Sequence, residues 1–191
     1  MKIDDFPWVT LCLTLGMGVI FIASPDITPL SYTLFAPWMH SSVNHISQNL
    51  LIFILLGTWV EKRLGKITFL LFALLVPYLA LYLPVVLEYG SLSRGASGLT
   101  NALIGYVIPV LLIGLSRRIR CFGGSTRELA TGLGVLLTLV YLISSSGLTI
   151  QRFIGLEPRP DGIAVSAHMT GLVLGILWFC WRTLRHRLEA A

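Results

Sequence analysis

Ser97 stands among small residues in the stretch Gly95-Ala96-Ser97-Gly98, at the head of a long apolar run. If a helix begins there, its first N–H groups are free of intrahelical partners and carry a partial positive charge. A serine oxygen in that place would have donors for an oxyanion beside it. The glycines let another backbone or a substrate come close. By itself the motif does not favour a nucleophilic serine over ordinary tight helix packing, where Gly-x-Ser-Gly also occurs, and the rest of the chain has to decide between them.

Two further apolar runs carry histidine and asparagine side chains that could complete such a site. His45 and Asn49 are four residues apart, so that in a helix they share one face, and His40 precedes them. His168 stands near the head of another run. An imidazole can take a proton from a serine and return it to a leaving group, while an amide can donate to an oxyanion. One intramembrane histidine alone is often structural, but polar groups at one depth in three runs predict a shared site.

The composition indicates a membrane protein with no separate soluble domain, so that residues 1–191 are predicted to form one domain. Of the 191 residues, 55% are hydrophobic and 12% are charged, and the mean hydropathy is +0.81. No basic and aromatic pattern suggests nucleic-acid binding. The three cysteines, Cys12, Cys121 and Cys180, lack paired spacing, so we expect neither a disulfide nor a metal site, and no cofactor.

Six apolar runs have, or approach, the length needed to span a bilayer. The first is short, but Asp4 and Asp5 precede it and no Ala-x-Ala site follows, so a retained helix is favoured over a signal peptide. The sequence therefore predicts an all-α membrane protein built as a bundle of six transmembrane helices. The six runs are 8–23, 44–60, 67–87, 97–115, 129–148 and 163–181.

The basic residues predict the orientation of the bundle. With a cytoplasmic N-terminus, eleven of the 14 lysines and arginines fall on the inner side. Only Arg94, Arg152 and Arg159 then face outwards. Both termini are therefore predicted to be cytoplasmic, with loops 24–43, 88–96 and 149–162 outside. This orientation brings the polar heads of the second, fourth and sixth runs to the outer face.

Small residues recur along one face of the fourth and sixth runs. In lipid, such faces allow two helix backbones to approach closely. If these two faces pack together, Ser97 and His168 come within hydrogen-bonding reach of each other. The faces are formed by Gly98, Ala102 and Gly105 in the fourth run and by Ala167, Gly171 and Gly175 in the sixth.

Taken together, the motifs make the chain resemble a rhomboid intramembrane serine protease of the basic six-helix form, over essentially its whole length. The resemblance implies that Ser97 and His168 form a catalytic dyad, and that His45, Asn49 and the Ser97 backbone N–H form an oxyanion hole. His40 would belong to a hydrogen-bond network in the outer loop. The matching motifs are His40-x4-His45-x3-Asn49, Gly95-Ala96-Ser97-Gly98 and Ala167-His168-x2-Gly171-x3-Gly175.

The resemblance also implies partners and a location. Substrates would be transmembrane proteins in the lipid bilayer, cut near the outer end of a segment after a small residue, and the protein would lie in the plasma membrane of a prokaryote. Gly95, Gly98, Ala167 and Gly171 would support the site. No carboxylate is placed to orient His168, so a dyad is expected and not a triad.

Two positions depart from the family pattern. Many relatives carry an aromatic residue four positions after the serine, where it stacks on the catalytic histidine, and this chain has Asn101 there. Asn101 would either hydrogen-bond His168 or leave it less fixed. The Trp-Arg pair that many bacterial relatives carry in the first outer loop is missing, and only Trp38 stands just before His40.

Three competing interpretations come from other classes of protein. A catalytically inactive, rhomboid-like binder of membrane clients would typically lack the serine or the histidine, and this chain has both. A metal-dependent protease or metal transporter could use His40, His45 and His168, but no His-Glu-x-x-His is present and no acidic residue lies within the six runs. A small-solute channel fits poorly with polar groups clustered at one depth. The substrate, the organism and the oligomeric state are left open.

Overall fold

The computed structural model of the chain describes residues 6–23, 29–89, 93–120, 134, 137 and 165–189. Regular structure in these residues is helical. The predicted run 129–148, apart from residues 134 and 137, and the predicted loop 149–162 lie outside the described residues. The helices are α1 (Trp8–Ala23), α2 (Pro29–Phe35), α3 (Val43–Leu64), α4 (Lys66–Val86), α5 (Ser97–Arg120) and α6 (Val165–Glu189).

Three of the described helices are long and apolar enough to cross a membrane. They are α3, α4 and the part of α5 from Ser97 to Ser116, whereas α1 is a shorter apolar helix of 16 residues. The predicted apolar runs thus coincide with helices wherever the structure describes them. The count of six spans and the orientation of the termini stay predictions.

Glu61 lies just beyond the predicted second run, inside α3, and its buried carboxylate joins α3 to α1. One carboxylate oxygen accepts a hydrogen bond from the backbone N–H of Val9 at 3.1 Å. The other accepts from the backbone N–H and the hydroxyl of Thr10, at 2.8 and 2.7 Å. The first N–H groups of a helix have no intrahelical partner and favour negative charge. Glu61 therefore acts as a cap for α1 that is supplied by another helix.

The ends of α3 and the start of α4 follow from local sequence. Ser42 precedes α3 in an extended conformation, and its hydroxyl accepts the His45 backbone N–H at 3.2 Å, which satisfies a free donor of the first turn. Gly65 ends α3 at φ +82° and α4 begins at the next residue. A positive φ favours glycine, and it turns the chain straight back against α3.

The core lies where α3, α4, α5 and α6 meet. Phe53 from α3 stacks on Phe69 of α4, and Phe69 stacks on Phe72, with all three side chains fully buried. Trp178 from α6 packs edge-on against Phe72, with ring centroids 5.2 Å apart. Leu103 of α5 belongs to the same cluster. This aromatic cluster fixes the spacing of α3, α5 and α6, the helices whose first turns carry His45, Ser97 and His168.

Among the described elements, the most extensive helix–helix contact joins α5 and α6. A methyl group added at Gly171 would overlap the backbone of Gly98, and one added at Gly175 would overlap the backbone of Ala102. These pairs are one turn apart on both helices, so α5 and α6 run parallel with their N-terminal ends together. The predicted packing of the two small-residue faces is confirmed.

Candidate active site

Ser97 is the first residue of α5, and Gly95 shapes the chain just before it. Gly95 has φ +123°, a conformation that L side chains rarely adopt. A methyl group there would also lie 2.7 Å from Cε1 and 2.9 Å from Nε2 of His45. The absence of a side chain at Gly95 thus allows the His45 ring to lie directly against the chain that leads into Ser97.

The segment before α3 is hydrogen-bonded to this same turn. The Gly95 N–H donates to the carbonyl oxygen of Ala36 at 2.8 Å, and the Ala96 N–H donates to Nε2 of His40 at 3.4 Å. Burial of His40 and the nearby charge of His45 lower its pKa to about 4. The hydrogen bond from the Ala96 N–H requires a neutral His40 ring, because a protonated imidazole has no acceptor nitrogen.

Two tyrosines of α4 hold the chain just before α3, the part that carries His40. The Tyr78 hydroxyl donates to the carbonyl oxygen of Leu34 at 2.6 Å, and the Tyr82 hydroxyl donates to that of Thr33 at 2.7 Å. The indole N–H of Trp38 donates to the Tyr78 hydroxyl at 3.3 Å. The Trp-Arg pair is missing from this chain, and these contacts anchor the segment from Thr33 to Trp38 instead.

His45 lies in the first turn of α3, with one ring nitrogen near a hydroxyl and the other near Gly95. The Ser41 hydroxyl lies 3.3 Å from Nδ1 of His45. When Ser41 donates this bond, the ring proton sits on Nε2, the nitrogen that packs beside Gly95. In that tautomer His45 presents an N–H donor close to the start of α5.

Asn49 lies one turn further into α3 and is only 5% exposed. Its Oδ1 accepts a hydrogen bond from the Thr100 hydroxyl at 3.4 Å. Its Nδ2 is buried and has no hydrogen-bond partner in the described part of the chain. Leaving a buried donor unpaired costs about 1–3 kcal/mol, so such a group calls for an explanation. One explanation is that this donor is kept free for a group that arrives during a reaction.

His168 lies in the first turn of α6, half-buried as Ser97 is. The contact of Gly98 with Gly171 comes one residue after Ser97 and three after His168. The carbonyl oxygen of Ala167 lies on the same side, 3.7 Å from where a methyl group at Gly98 would be. The serine and the histidine therefore stand at the adjacent N-terminal ends of two helices in backbone contact.

Asn101 is 3% exposed and faces the interior one turn after Ser97. Its Nδ2 donates to the Ser97 carbonyl oxygen at 2.9 Å, and the Thr100 hydroxyl lies 3.0 Å from the same oxygen. The Asn101 Oδ1 is buried without a hydrogen-bond partner among the described residues. The predicted hydrogen bond from Asn101 to His168 stays a prediction.

Sequence reasoning missed the roles of Thr100 and Glu61. Thr100 is three residues after Ser97, so its place on the Ser97 turn could have been read from helical spacing, but its contact with α3 could not. Glu61 was overlooked because it lies just past an apolar run beside two basic residues, in a place typical of a solvated helix end. No group of three His, Cys, Asp or Glu in the described part of the chain is arranged to hold a metal ion.

Comparison with known proteins gives two findings. The family model of the Rhomboid domain matches residues 30–185. The chain is also 30% identical over 150 residues to the rhomboid protease GlpG of Serratia proteamaculans (strain 568), a match that covers 78% of this chain and 47% of the relative. The chain thus spans about half the length of the curated relative it matches. Residues 30–185, which the family model matches, include every candidate site residue from His40 to Gly171.

Proposed function

The chain belongs to the rhomboid family, and we propose that it is an intramembrane serine protease in which Ser97 is the nucleophile and His168 the general base. The observation that carries the proposal is the backbone contact between Gly98 and Gly171, because it sets the two helix ends that bear these side chains beside each other. Family membership supports proteolysis within the membrane. The assignment of Ser97 and His168 as the catalytic dyad is our proposal.

The proposed reaction is acyl transfer in two steps. The Ser97 hydroxyl oxygen attacks the carbonyl carbon of a substrate peptide while His168 accepts the hydroxyl proton. The tetrahedral intermediate collapses as His168 gives that proton to the leaving amine. A water molecule, deprotonated by His168, then attacks the acyl-enzyme ester, and Ser97 regains its proton as the carboxylic acid leaves.

Three donors are proposed to bind the oxyanion of the intermediate. They are the side-chain amide of Asn49, Nε2 of His45 and the backbone N–H of Ser97. Two observations support this assignment: Nδ2 of Asn49 is buried with no hydrogen-bond partner in the described residues, and His45 packs against Gly95. Fixed donors in a dry site stabilise developing charge without having to reorient during the reaction.

Substrates are proposed to be transmembrane proteins, cut near the outer end of a membrane segment after a small residue. A peptide within a bilayer is helical and its carbonyls are hydrogen-bonded, so the segment must unwind locally before attack. We also propose a single domain over residues 1–191 with both termini in the cytoplasm, in the plasma membrane of a prokaryote.

The test is cleavage of a generic transmembrane substrate by the purified protein, with fluorophosphonate labelling as a second measurement. Wild type should cleave the substrate and be labelled only at Ser97, as mapped by mass spectrometry. Ser97→Ala should abolish both. His168→Ala should abolish labelling without unfolding the protein, because a serine hydroxyl is a poor nucleophile without a base. Ser116→Ala, at the other end of α5, is the matched serine control and should change neither.

Two results would contradict the proposal. Robust labelling of Ser97 in His168→Ala would show that His168 is not the base. A folded wild type that neither cleaves substrate nor reacts with the probe would instead favour the alternative function, an inactive rhomboid-like protein that binds membrane clients.

A further inference from the structure

Thr100 lies three residues after Ser97 and is only 2% exposed. Its hydroxyl oxygen is 3.0 Å from the carbonyl oxygen of Ser97 and 3.4 Å from Oδ1 of Asn49. A threonine hydroxyl has one proton, and both neighbours are acceptors, so the proton is shared between them. One side chain of α5 thus contacts both the backbone of the proposed nucleophile and a side chain of α3.

The contact with Asn49 matters because a side-chain amide has two different ends. Turning the amide of Asn49 by half a rotation would exchange its acceptor oxygen and its donor nitrogen. A hydroxyl that donates to Oδ1 favours the orientation in which Nδ2 lies on the opposite side. In that orientation Nδ2 is buried and has no hydrogen-bond partner in the described residues, so it is available to an incoming acceptor.

We infer that Thr100 is a positioning residue for the oxyanion hole: its hydroxyl holds the Asn49 amide with Nδ2 directed to the developing oxyanion. The inference rests on the proposed function. Thr100 itself touches neither the substrate nor the reacting atoms. Without its hydroxyl, nothing at position 100 distinguishes the two orientations of the Asn49 amide, and in the reversed one an oxygen faces the oxyanion and repels it.

The competing explanation is that Thr100 only steadies the first turn of α5 through its bond to the Ser97 carbonyl oxygen. The two roles predict different behaviour in a double-mutant cycle. A positioning residue loses its effect once the Asn49 amide is gone. A residue that only steadies the Ser97 turn keeps its effect in that background.

The experiment compares four variants with wild type: Thr100→Val, Thr100→Ser, Asn49→Ala and the double variant Thr100→Val/Asn49→Ala. Cleavage in proteoliposomes gives kcat and KM, and the rate of fluorophosphonate labelling at Ser97 reports on variants that turn over too slowly. Thermal unfolding in detergent checks the fold. Thr183→Val is the matched control, since the Thr183 hydroxyl donates to a backbone carbonyl of α6, that of Phe179, at 2.9 Å.

Thr100→Val should lower kcat about three- to tenfold at unchanged KM, the size expected for loss of one net hydrogen bond. Thr100→Ser should restore wild-type kcat because it keeps the hydroxyl, and Thr183→Val should leave kcat unchanged. The double variant should be no slower than Asn49→Ala alone. If valine at position 100 prevents folding, Thr100→Ala set against Thr100→Ser gives the same comparison of variants without and with the hydroxyl.

An equal loss from Thr100→Val with and without Asn49 would overturn the inference, as would unchanged kcat in Thr100→Val. In both cases wild type still cleaves and labels, so the proposed function stands. A wild type that neither cleaves nor labels at Ser97 would overturn the proposed function and this inference with it. The wild-type measurement therefore separates the two failures.

Discussion

His40 is a buried histidine that accepts a backbone hydrogen bond, and it can do so only while its ring is neutral. The bond comes from the Ala96 N–H, directly before Ser97. Burial and the charge of His45 lower the His40 pKa from 6.5 to about 4, so the folded protein keeps the acceptor nitrogen at neutral pH. The protonation state of one side chain is thus tied to the shape of the turn that leads into α5.

This pKa predicts a loss of stability in mild acid. As the pH falls below 6.5, the unfolded chain binds a proton at His40 that the folded protein resists until about pH 4. Stability falls wherever the unfolded state binds more protons as the pH is lowered. The thermal unfolding midpoint should therefore fall as the pH is lowered from 6.5 to about 4. Below about pH 4, His40 should contribute no further fall.

The control is His40→Gln, which keeps an uncharged acceptor of similar reach. Its unfolding midpoint should depend less steeply on pH than that of wild type over the same interval. Equal pH dependence in the two proteins would mean that His40 does not resist protonation in the folded state.

At the scale of elements, the site depends on helices that touch through backbone atoms. Gly171 packs on the carbonyl group of Gly98, so neither helix can yield by a change of side-chain rotamer. At the other end of the bundle, Glu61 of α3 caps α1 through the backbone N–H groups of Val9 and Thr10. The first contact sets the geometry at the end that carries Ser97, and the second holds a helix at the opposite end.

We expect Gly171→Ala to abolish substrate cleavage and to lower the unfolding midpoint. The added methyl group would overlap the Gly98 backbone, and forcing extra volume into a packed interface typically costs about 1–3 kcal/mol. A shift of about 1 Å between reacting groups can cost about 10²-fold in rate. Gly114→Ala is the control, because nothing lies near a methyl group there and alanine favours the helix. Full activity in Gly171→Ala would refute the close contact.

Glu61→Gln should lower stability by about 2 kcal/mol while leaving kcat of the folded protein unchanged. The charged acceptor of three hydrogen bonds is lost, and bonds to charged groups contribute about 1.5–3 kcal/mol each. Glu61 is 16 residues from His45 on α3, roughly 24 Å along the helix axis. Unfolding and initial cleavage rates are compared with those of Lys62→Gln, a change at the exposed neighbour. A fall in kcat without a fall in stability would contradict a purely structural role.

At the scale of the whole molecule, charge asymmetry predicts how the bundle sits in the membrane. The turn between α3 and α4 is flanked by Lys62, Arg63 and Lys66, whereas the turn after α4 carries no basic residue among residues 87–89. Positive charge favours the cytoplasmic side. The proposed site at the start of α5 then faces outwards.

Cysteine accessibility tests this orientation. In a chain freed of its native cysteines, Leu87→Cys should react with a membrane-impermeant thiol reagent added to intact cells. Lys62→Cys should react only after the membrane is permeabilised. Both side chains are exposed, so burial does not explain a difference between them. The reversed pattern would put the proposed site on the cytoplasmic side.

Much of the fold was predictable because the relevant signals are local. Apolar length predicts where helices cross the bilayer, and the apolar runs coincide with α1, α3, α4, α5 and α6 where the structure describes them. The facing stripes of small residues predicted the contact of α5 with α6, because small side chains let helix backbones approach closely in lipid. The family likewise followed from the motif residues around His45, Ser97 and His168.

The sequence alone could not determine which side chains from different helices meet. Three sets of contacts join residues about 40 to 50 positions apart: that of Thr100 with Asn49, the Glu61 cap on α1, and the tyrosine anchors of the segment before α3. Such pairs leave no period or spacing in the chain, because they depend on how the helices are rotated about their axes and how far they slide past each other. Packing fixes these rotations, and with them the orientation of the Asn49 amide and the neutral state of His40.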